Sequence, residues 1–393
     1  MSQTRIKVGI MAAGTLSMAP FALIAIIPVA IGHYYPASET TVQAAFQLPM
    51  LLTVPGLLLM GAIAGKTGKK IPLMISLVVM TLAGIAPALI NPSLPVFMVM
   101  MAIFGIGLGC VMTLSVGIIP DYFQGPKQAA VMGMQSGFVN IGGMILTFSA
   151  GILLAAYWRN VFFVYLFPLL VLIFVALCIP MDRPQNAGGT KTAQKSRIKL
   201  SSEAVIMCLM IFVFGITMGT NNVNAGLLVA ENALGDLAIA SFGATVLAGS
   251  GIVTGLILYP HIAKVCKHNT IPVAFLVFVA GLIIMAFSPS AAVFYIGNIL
   301  LGCGFTLMIP TGLARAVQSV EPTSATFTIA LFLSASSTGM FIAPMVMNPL
   351  STVLGTGTAQ SRYFIAAGII VILCVLLFLH IQRTERAKVS AAM

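Results

Sequence analysis

The chain alternates between long apolar runs and short polar turns. A helix that crosses a bilayer needs about 20 apolar residues, and on that basis the runs predict twelve spanning helices. The first six are predicted near residues 8–31, 41–63, 71–90, 96–119, 129–156 and 161–180, and the second six near 204–229, 239–262, 271–287, 292–316, 324–350 and 362–381. This pattern predicts an all-α polytopic membrane protein with two six-helix bundles.

The longest polar segment, DRPQNAGGTKTAQKSRIKLSSE, lies between the two sets of helices. Its proline, glycine, serine and lysine content is typical of a linker rather than of a packed element. We therefore expect an N-terminal six-helix bundle at 1–181, a cytoplasmic linker at 182–203 and a C-terminal six-helix bundle at 204–393.

Composition supports the membrane assignment and narrows the partners. Of the 393 residues, 59% are hydrophobic and 7% are charged, whereas a soluble protein has about 25% charged residues. The six cysteines form no CxxC pair or metal-ligand spacing, and no nucleotide-binding loop or hydrolase constellation is present. We expect no enzyme activity, cofactor, metal or nucleic acid; the expected partners are lipids and a small-molecule substrate, and the expected state is a monomer.

The distribution of positive charge predicts an orientation. With the N-terminus inside, all but two of the 19 lysines and arginines fall in cytoplasmic segments, and the outer loops hold only Arg159 and Arg362. Cytoplasmic loops of membrane proteins carry such an excess of lysine and arginine. The charges predict a multi-pass protein of the cytoplasmic (plasma or inner) membrane with both termini cytoplasmic, and we expect a bacterial source.

The two halves of the chain repeat each other. IAGKTGKKIP after the second predicted helix matches IAKVCKHNTIP after the eighth. The G-x-G of helix 4, Gly105 and Gly107, aligns with Gly302 and Gly304 of helix 10. The number of residues between these two pairs is nearly the same as the number between the two turns. Such internal similarity indicates duplication of a six-helix unit.

A lysine-rich turn carries a family resemblance. GAIAGKTGKKIP (61–72) is similar to the loop motif G-x-L-x-D-R-x-G-R/K-R/K of the major facilitator superfamily, although Gly65 stands in place of the aspartate. YWRNVFF (157–163) and the duplicated halves resemble the same family. The resemblance implies a secondary transporter whose two bundles rock about a central site.

The resemblance also implies a conformational latch. In the family, a cation at the Lys69 position pairs with an acid at the inner end of helix 4, where this chain has Asp121. The residues expected to form the latch are Gly61, Lys66, Gly68, Lys69, Lys70 and Asp121.

Acidic residues are absent from the middle of every predicted span. All eight fall in loops or at helix ends, and an ionisable group in the hydrocarbon core would mark a proton, ion or substrate site. Met101 occupies the helix 4 position where the family often has a proton-coupling arginine, and Asn298 occupies the equivalent position of helix 10. Helix 5 also lacks the Gly-Pro pair of drug/proton antiporters. Coupling through a buried carboxylate therefore has no candidate.

Neutral polar side chains are the remaining candidates for recognition. The stretch TNNVN in helix 7 resembles the substrate-facing gate of the family, and helix 5 carries an amide near mid-membrane. The substrate-binding candidates are Asn140, Gln135, Asn221, Asn222, Asn224, Gln47, Thr113, Asn298 and Thr306. Each has an alternative interpretation, since a polar side chain in a membrane helix also bonds neighbouring helices or its own backbone.

These observations predict a secondary transporter for a small organic solute that works by alternating access without a buried carboxylate for proton coupling. The first alternative is a proton-coupled multidrug or metabolite efflux antiporter, in which the 24 methionines would form an adaptable wall. The second alternative is a non-transporting membrane receptor that has the same fold.

Overall fold

The computed structural model describes residues 3–124, 126–180, 201–266, 269–321 and 324–392. Within the helices, the description does not extend to the side chains of 61–67, 126, 129–130, 133, 136, 260, 263, 325–326 and 384–392. Of the predicted linker 182–203, residues 182–200 lie outside the described ranges.

Helices account for nearly all of the described chain. The first six are α1 (Gln3–His33), α2 (Glu39–Thr67), α3 (Lys70–Ile90), α4 (Leu94–Tyr122), α5 (Pro126–Ala156) and α6 (Trp158–Cys178). The next six are α7 (Ser202–Glu231), α8 (Ala238–Leu258, continued by Tyr259–Cys266), α9 (Thr270–Ala286), α10 (Ala291–Gln318), α11 (Ala325–Leu354) and α12 (Ala359–Ala392).

Eleven of these segments within the described residues are long and apolar enough to cross a membrane. The twelfth, α9, has 17 residues, which is at the lower end of the length that spans a bilayer. The predicted all-α polytopic fold is confirmed, and the segments are consistent with the twelve predicted helices.

Helix ends follow local sequence signals. Ser38 caps the N-terminus of α2, where its side chain accepts a hydrogen bond of 3.2 Å from the Thr41 amide. Asn91 ends α3 in the left-handed conformation, with φ 46°, which asparagine tolerates better than most residues. These two signals explain why the predicted start of α2 and end of α3 lie close to the observed ones.

The first helix is not α-helical throughout. Residues Thr15–Ile26 form a 3₁₀ stretch that contains Pro20. Proline lacks the amide that an α-helix requires and its ring crowds the preceding turn. In α1 the effect is distributed over 12 residues as a tighter winding.

The end of α4 is interrupted before Asp121. The regular helix runs from Leu94 to Gly117, and a short helix, Ile119–Tyr122, follows with Pro120 in its first turn. Proline favours a helix start and cannot continue the preceding hydrogen-bond pattern. This interruption places the Asp121 carboxylate at the end of the bundle.

Contacts divide the described residues into two compact units. The first unit comprises those within Met1–Arg197, Ala225–Ala230 and Asp236–Thr245; the second comprises those within Ile198–Asn224, Glu231–Gly235 and Val246–Met393. Short parts of α7 and α8 thus cluster with the first unit.

The repeated glycines have equivalent surroundings in the two units. A Cβ on Gly105 of α4 would lie 2.6 Å from the Pro49 carbonyl oxygen of α2, and one on Gly302 of α10 would collide with the Leu247 carbonyl of α8. Two residues later, Gly107 approaches α3 and Gly304 approaches α9. In both units, one G-x-G pair allows a helix to pack closely between two neighbours.

Large apolar side chains cover the outer faces of many helices. Leu82, Leu89, Leu209, Leu256 and Leu376 are all exposed. Exposed apolar surface of this extent would destabilise a soluble monomer and fits contact with lipid.

Candidate functional site

The polar stretch of α7 lies within a continuous helix. Asn221, Asn222 and Asn224 are all buried and belong to the helix Ser202–Glu231. Asparagine is a weak helix former, so tertiary hydrogen bonds must compensate for its presence here. Two of the three side chains receive such bonds from another helix.

Two of these asparagines are held by α12. The Tyr363 hydroxyl donates to Asn221 Oδ1 at 2.8 Å, and Arg362 Nη1 donates to Asn224 Oδ1 at 2.7 Å. Asn224 Nδ2 also donates to the Thr220 carbonyl of its own helix at 2.8 Å. Their side-chain oxygens therefore stabilise the packing of α7 against α12.

Asn222 differs from its neighbours. Its Oδ1 atom is buried and makes no hydrogen bond with any described residue, and the residue is only 4% exposed. A buried polar atom without a partner destabilises a protein by about 1–3 kcal/mol, so such an atom requires an explanation. A ligand that donates a hydrogen bond would supply the missing partner.

Arg362 is central to the surrounding network. Besides Asn224, its guanidinium donates to the Gly357 carbonyl at 2.9 Å and to Ser351 Oγ at 3.4 Å. The residue is 4% exposed, although its charge suggested an outer loop. A planar guanidinium has five donors in a fixed arrangement, and Arg362 uses them to connect three segments of the second unit.

The candidates of α5 lie in the first unit. Gln135 is buried and its Nε2 donates to Ser115 Oγ of α4 at 3.0 Å; the Ser115 hydroxyl donates in turn to the Met112 carbonyl. Asn140 is half-buried and already has an interaction partner. Gln135 therefore links two helices.

Two of the four weaker candidates bond a backbone carbonyl of their own helix. Thr113 donates to the Gly109 carbonyl at 2.9 Å, and Asn298 Nδ2 donates to the Phe294 carbonyl at 3.0 Å. Gln47 is buried and has a partner, whereas Thr306 is half-buried with its methyl group facing Gly255. Backbone bonding within a helix is the common alternative to ligand binding for such residues.

The structure brings together the two charged residues expected at the latch. Lys69 Nζ lies 2.6 Å from Asp121 Oδ2 and 2.8 Å from Oδ1, and it also donates to the Gly117 carbonyl at 2.6 Å. The side chains are 26% and 25% exposed, and exposed pairs contribute only about 0–1 kcal/mol. The pairing is thus observed, and its conformational role stays a prediction.

The other latch candidates differ among themselves. Gly68 ends α2 with φ 75°, a conformation that favours glycine. Lys70 is buried and donates to the Ala176 and Ile179 carbonyls at the end of α6, at 2.8 and 2.5 Å. Gly61 and Lys66 belong to the stretch 61–67, whose side-chain surroundings are outside the described part of the structure.

Sequence reasoning missed a charged cluster in the second unit. Glu203 of α7 bonds Arg315 Nε of α10, and its other oxygen lies 2.7 Å from His380 Nε2 of α12. The available signal was position: an acid in the first turn of one helix and a cation in the last turn of another suit the helix dipoles. The cluster connects α7, α10 and α12.

The fold is that of a polytopic transporter, and the sequence model described as Major Facilitator Superfamily matches residues 9–214. That is more than half of the chain, and the chain belongs to this family. No curated protein sequence matches it.

Solved structures share the fold at low sequence identity. The nucleoside transporter NupG superposes with a TM-score of 0.76 and 13% identity, over 95% of this chain and 99% of that one. The human organic anion transporter MFSD10 gives 0.67 and 15%, over 96% and 100%. A bacterial homologue of the human lysosomal transporter Spinster gives 0.72 and 13%, over 97% and 98%. At such identities the likeness concerns the fold alone.

Proposed function

We propose that the chain is a secondary transporter that moves a small organic solute across the cytoplasmic membrane by alternating access. It works as a monomer in lipid, with both termini cytoplasmic and a six-helix bundle on either side of the 182–203 linker. The observation that carries the proposal is the buried, unbonded oxygen of Asn222 in a membrane-spanning helix. A solute with an O–H or N–H donor would satisfy this oxygen. Asn140 of α5 is proposed as a substrate contact within the first unit.

The acids support transport without a buried carboxylate. Glu39 and Glu203 lie in the first turns of α2 and α7, and Glu231 is the last residue of α7. Asp121 lies in the short helix that ends α4, Asp236 and Glu321 lie between helices, and the side chains of Asp182 and Glu385 are outside the described residues. Every described acid is thus near a helix end, so the proposed transport has no mid-membrane carboxylate to protonate.

A thermal-shift panel identifies the substrate class. Because structural relatives include a nucleoside transporter and an organic anion transporter, the panel contains uridine, lactate and glucose, followed by a wider metabolite set. The solute that stabilises the purified protein is then used for counterflow in proteoliposomes. Saturable counterflow supports a transporter, and binding without flux supports the receptor alternative.

The variant Asn222→Ala tests the site. Losing a hydrogen bond to a buried polar ligand costs about 1–3 kcal/mol, so affinity should fall roughly 5- to 150-fold. The matched control is Asn232→Ala, since Asn232 follows α7 and donates to Ser288; its affinity should stay within about twofold of the parent. Unchanged affinity in Asn222→Ala would make this residue structural.

Coupling is tested by pH. Counterflow of a non-titrating solute should vary little between roughly pH 5.5 and 8, because no described carboxylate lies in the membrane core. Uphill accumulation driven by an imposed proton gradient alone would instead support the proton-coupled antiporter. Competition by many unrelated amphipathic dyes would point to multidrug efflux.

A further inference from the structure

The first turn of α12 contacts the C-terminal half of α7 at three levels. Asn224 and Asn221 receive hydrogen bonds from Arg362 and Tyr363. Glu231, at the end of α7, accepts from the Ala359 amide at 2.8 Å and thereby caps α12. All of these residues belong to the second unit.

The three contacts lie on one side of α7. A helix turns by about 100° per residue and rises about 1.5 Å, so positions 221, 224 and 231 fall within an arc of about 80° and extend over about 15 Å. Three bonds distributed along one face fix both the height of a helix and its rotation about its own axis. A single bond would leave that rotation free.

Asn222 lies on a different side of the same helix. It is about 100° from Asn221 and shares its side with Gly215 and Gly219, which approach Gly339 and Met340 of α11. Rotation of α7 would therefore move the Asn222 oxygen sideways relative to α11. The direction in which this oxygen points therefore depends on the hydrogen bonds of Asn221 and Asn224.

These bonds are well protected. Tyr363 is fully buried, Arg362 is 4% exposed, and Asn221 and Asn224 are 2% and 0% exposed. Buried polar groups that lose their partners are strongly destabilised. Such a network has one favourable arrangement and resists small rotations.

We infer that Arg362 and Tyr363 are positioning residues that fix the rotation of α7 and so direct the side-chain oxygen of Asn222 toward a ligand O–H or N–H. This inference rests on the proposed function, because it needs a ligand at Asn222. It assigns the three asparagines two roles: Asn221 and Asn224 bind α12, and Asn222 binds the substrate.

Cysteine reactivity tests the inference without a known substrate. The six native cysteines are replaced, a cysteine is introduced by Asn222→Cys or Val223→Cys, and the reconstituted protein reacts with N-ethylmaleimide. Val223 is buried and faces another side of α7, so it is the matched position. Tyr363→Phe is then added, which removes one hydroxyl and leaves the ring.

The expected result is selective. Losing one buried hydrogen bond shifts an equilibrium by about tenfold, so labelling at position 222 should accelerate about five- to tenfold. Position 223 should change less than twofold. Arg362→Met should act like Tyr363→Phe, while Arg362→Lys, which keeps a donor for Asn224, should recover part of the effect.

A control in the first unit separates positioning from general loosening. Tyr165 is fully buried on α6 and donates to the Ala19 carbonyl, so Tyr165→Phe removes a similar bond within the first unit. It should leave labelling at position 222 unchanged. If it accelerates that labelling equally, or if 222 and 223 accelerate together, Arg362 and Tyr363 are merely structural.

Two further outcomes distinguish this inference from the proposed function. Saturable counterflow together with unchanged labelling at position 222 would overturn the positioning role alone. Absence of any flux would overturn the proposed function. No reaction at position 222 in any background would contradict the inference, because a ligand must be able to reach this position.

Discussion

The two units use the same kind of residue for different contacts. Each buries a tyrosine completely: Tyr165 of α6 in the first unit and Tyr363 of α12 in the second. Tyr165 donates to a backbone carbonyl, that of Ala19, whereas Tyr363 donates to the side chain of Asn221. A backbone carbonyl is present whatever the residue, so the second contact alone depends on side-chain identity in its partner helix.

The arginines show a similar contrast. Arg159 of the first unit donates to the Pro87 and Ala88 carbonyls at the end of α3, at 3.2 and 2.8 Å. Arg362 of the second unit reaches the side chains of Asn224 and Ser351 as well as a carbonyl. In both comparisons the second unit uses side-chain acceptors where the first unit uses backbone carbonyls.

The charged clusters of the two units also differ: two lysines are central to the first cluster, and a carboxylate is central to the second. In the first unit, Lys69 and Lys70 donate to Asp121 and to helix-end carbonyls. In the second unit, the carboxylate of Glu203 accepts from Arg315 and lies against His380. The side chains of Lys69 and Asp121 are 26% and 25% exposed, whereas those of Arg315 and Glu203 are 19% and 18% exposed. We therefore expect the Glu203–Arg315 pair to contribute more to stability.

The largest expected effect is that of Glu203→Gln. This change leaves the guanidinium of Arg315 without its carboxylate in a partly buried position. Breaking a buried pair costs about 3–5 kcal/mol, and partial exposure reduces the expected loss in free energy of unfolding to about 2–3 kcal/mol. The measurement is unfolding by sodium dodecyl sulfate in mixed micelles. Asp121→Asn, the matched change in the first unit, should cost less than about 1 kcal/mol; equal losses would remove the contrast between the units.

The repeated glycines provide a test in which the units should behave alike. Gly302→Ala places a methyl group against the Leu247 carbonyl, and Gly105→Ala places one against Pro49. Overpacking of this kind costs about 1–3 kcal/mol. Both variants should lose a similar amount of stability in the same micelle titration. A loss in only one of them would show that the two G-x-G pairs do not have equivalent packing roles.

The smallest expected effect concerns the latch. Asp121→Asn should shift the population toward the inward-facing state, because the Lys69–Asp121 pair closes the cytoplasmic side in the proposed cycle. An exposed pair is worth about 0–1 kcal/mol, which still matters when two states differ by a few kcal/mol. Double electron–electron resonance between cytoplasmic loops measures the shift.

A charge exchange completes this test. Lys69→Asp with Asp121→Lys should recover part of the population and no more, because the carboxylate introduced at position 69 would face the Gly117 carbonyl that Lys69 now contacts. An unchanged distance distribution in Asp121→Asn would mean that the lysines only determine orientation.

Features that depend on local pattern were predictable from the sequence. The apolar runs give the helices, since their lengths match the thickness of a bilayer. The G-x-G repeat predicts close packing, and the structure shows it at Gly105 and Gly302. The Lys69–Asp121 contact was also predictable, because a family motif supplied the pairing.

Features that depend on partners far away along the chain were not predictable from the sequence. Arg362 was assigned to an outer loop because a charge pattern contains no information on burial, whereas it is 4% exposed within the second unit. Asn221 and Asn224 look equivalent to Asn222 in the sequence, and their partners lie 142 and 138 residues further along the chain. Lys70, a residue of the expected latch, donates to the Ala176 and Ile179 carbonyls at the end of α6, a contact that the sequence does not reveal, and its role in the latch stays a prediction.

The contacts of Arg159 and Arg362 have a consequence for biogenesis. On the proposed orientation, these two arginines must be translocated across the membrane during insertion, against the usual bias that retains positive charge inside. The acceptors of Arg159 are Pro87 and Ala88, and those of Arg362 are Asn224, Ser351 and Gly357. Every acceptor precedes its arginine in the chain. A ribosome that synthesises the protein from its N-terminus therefore delivers each arginine after the groups that receive it, so that neither charge has to wait in the bilayer for a partner.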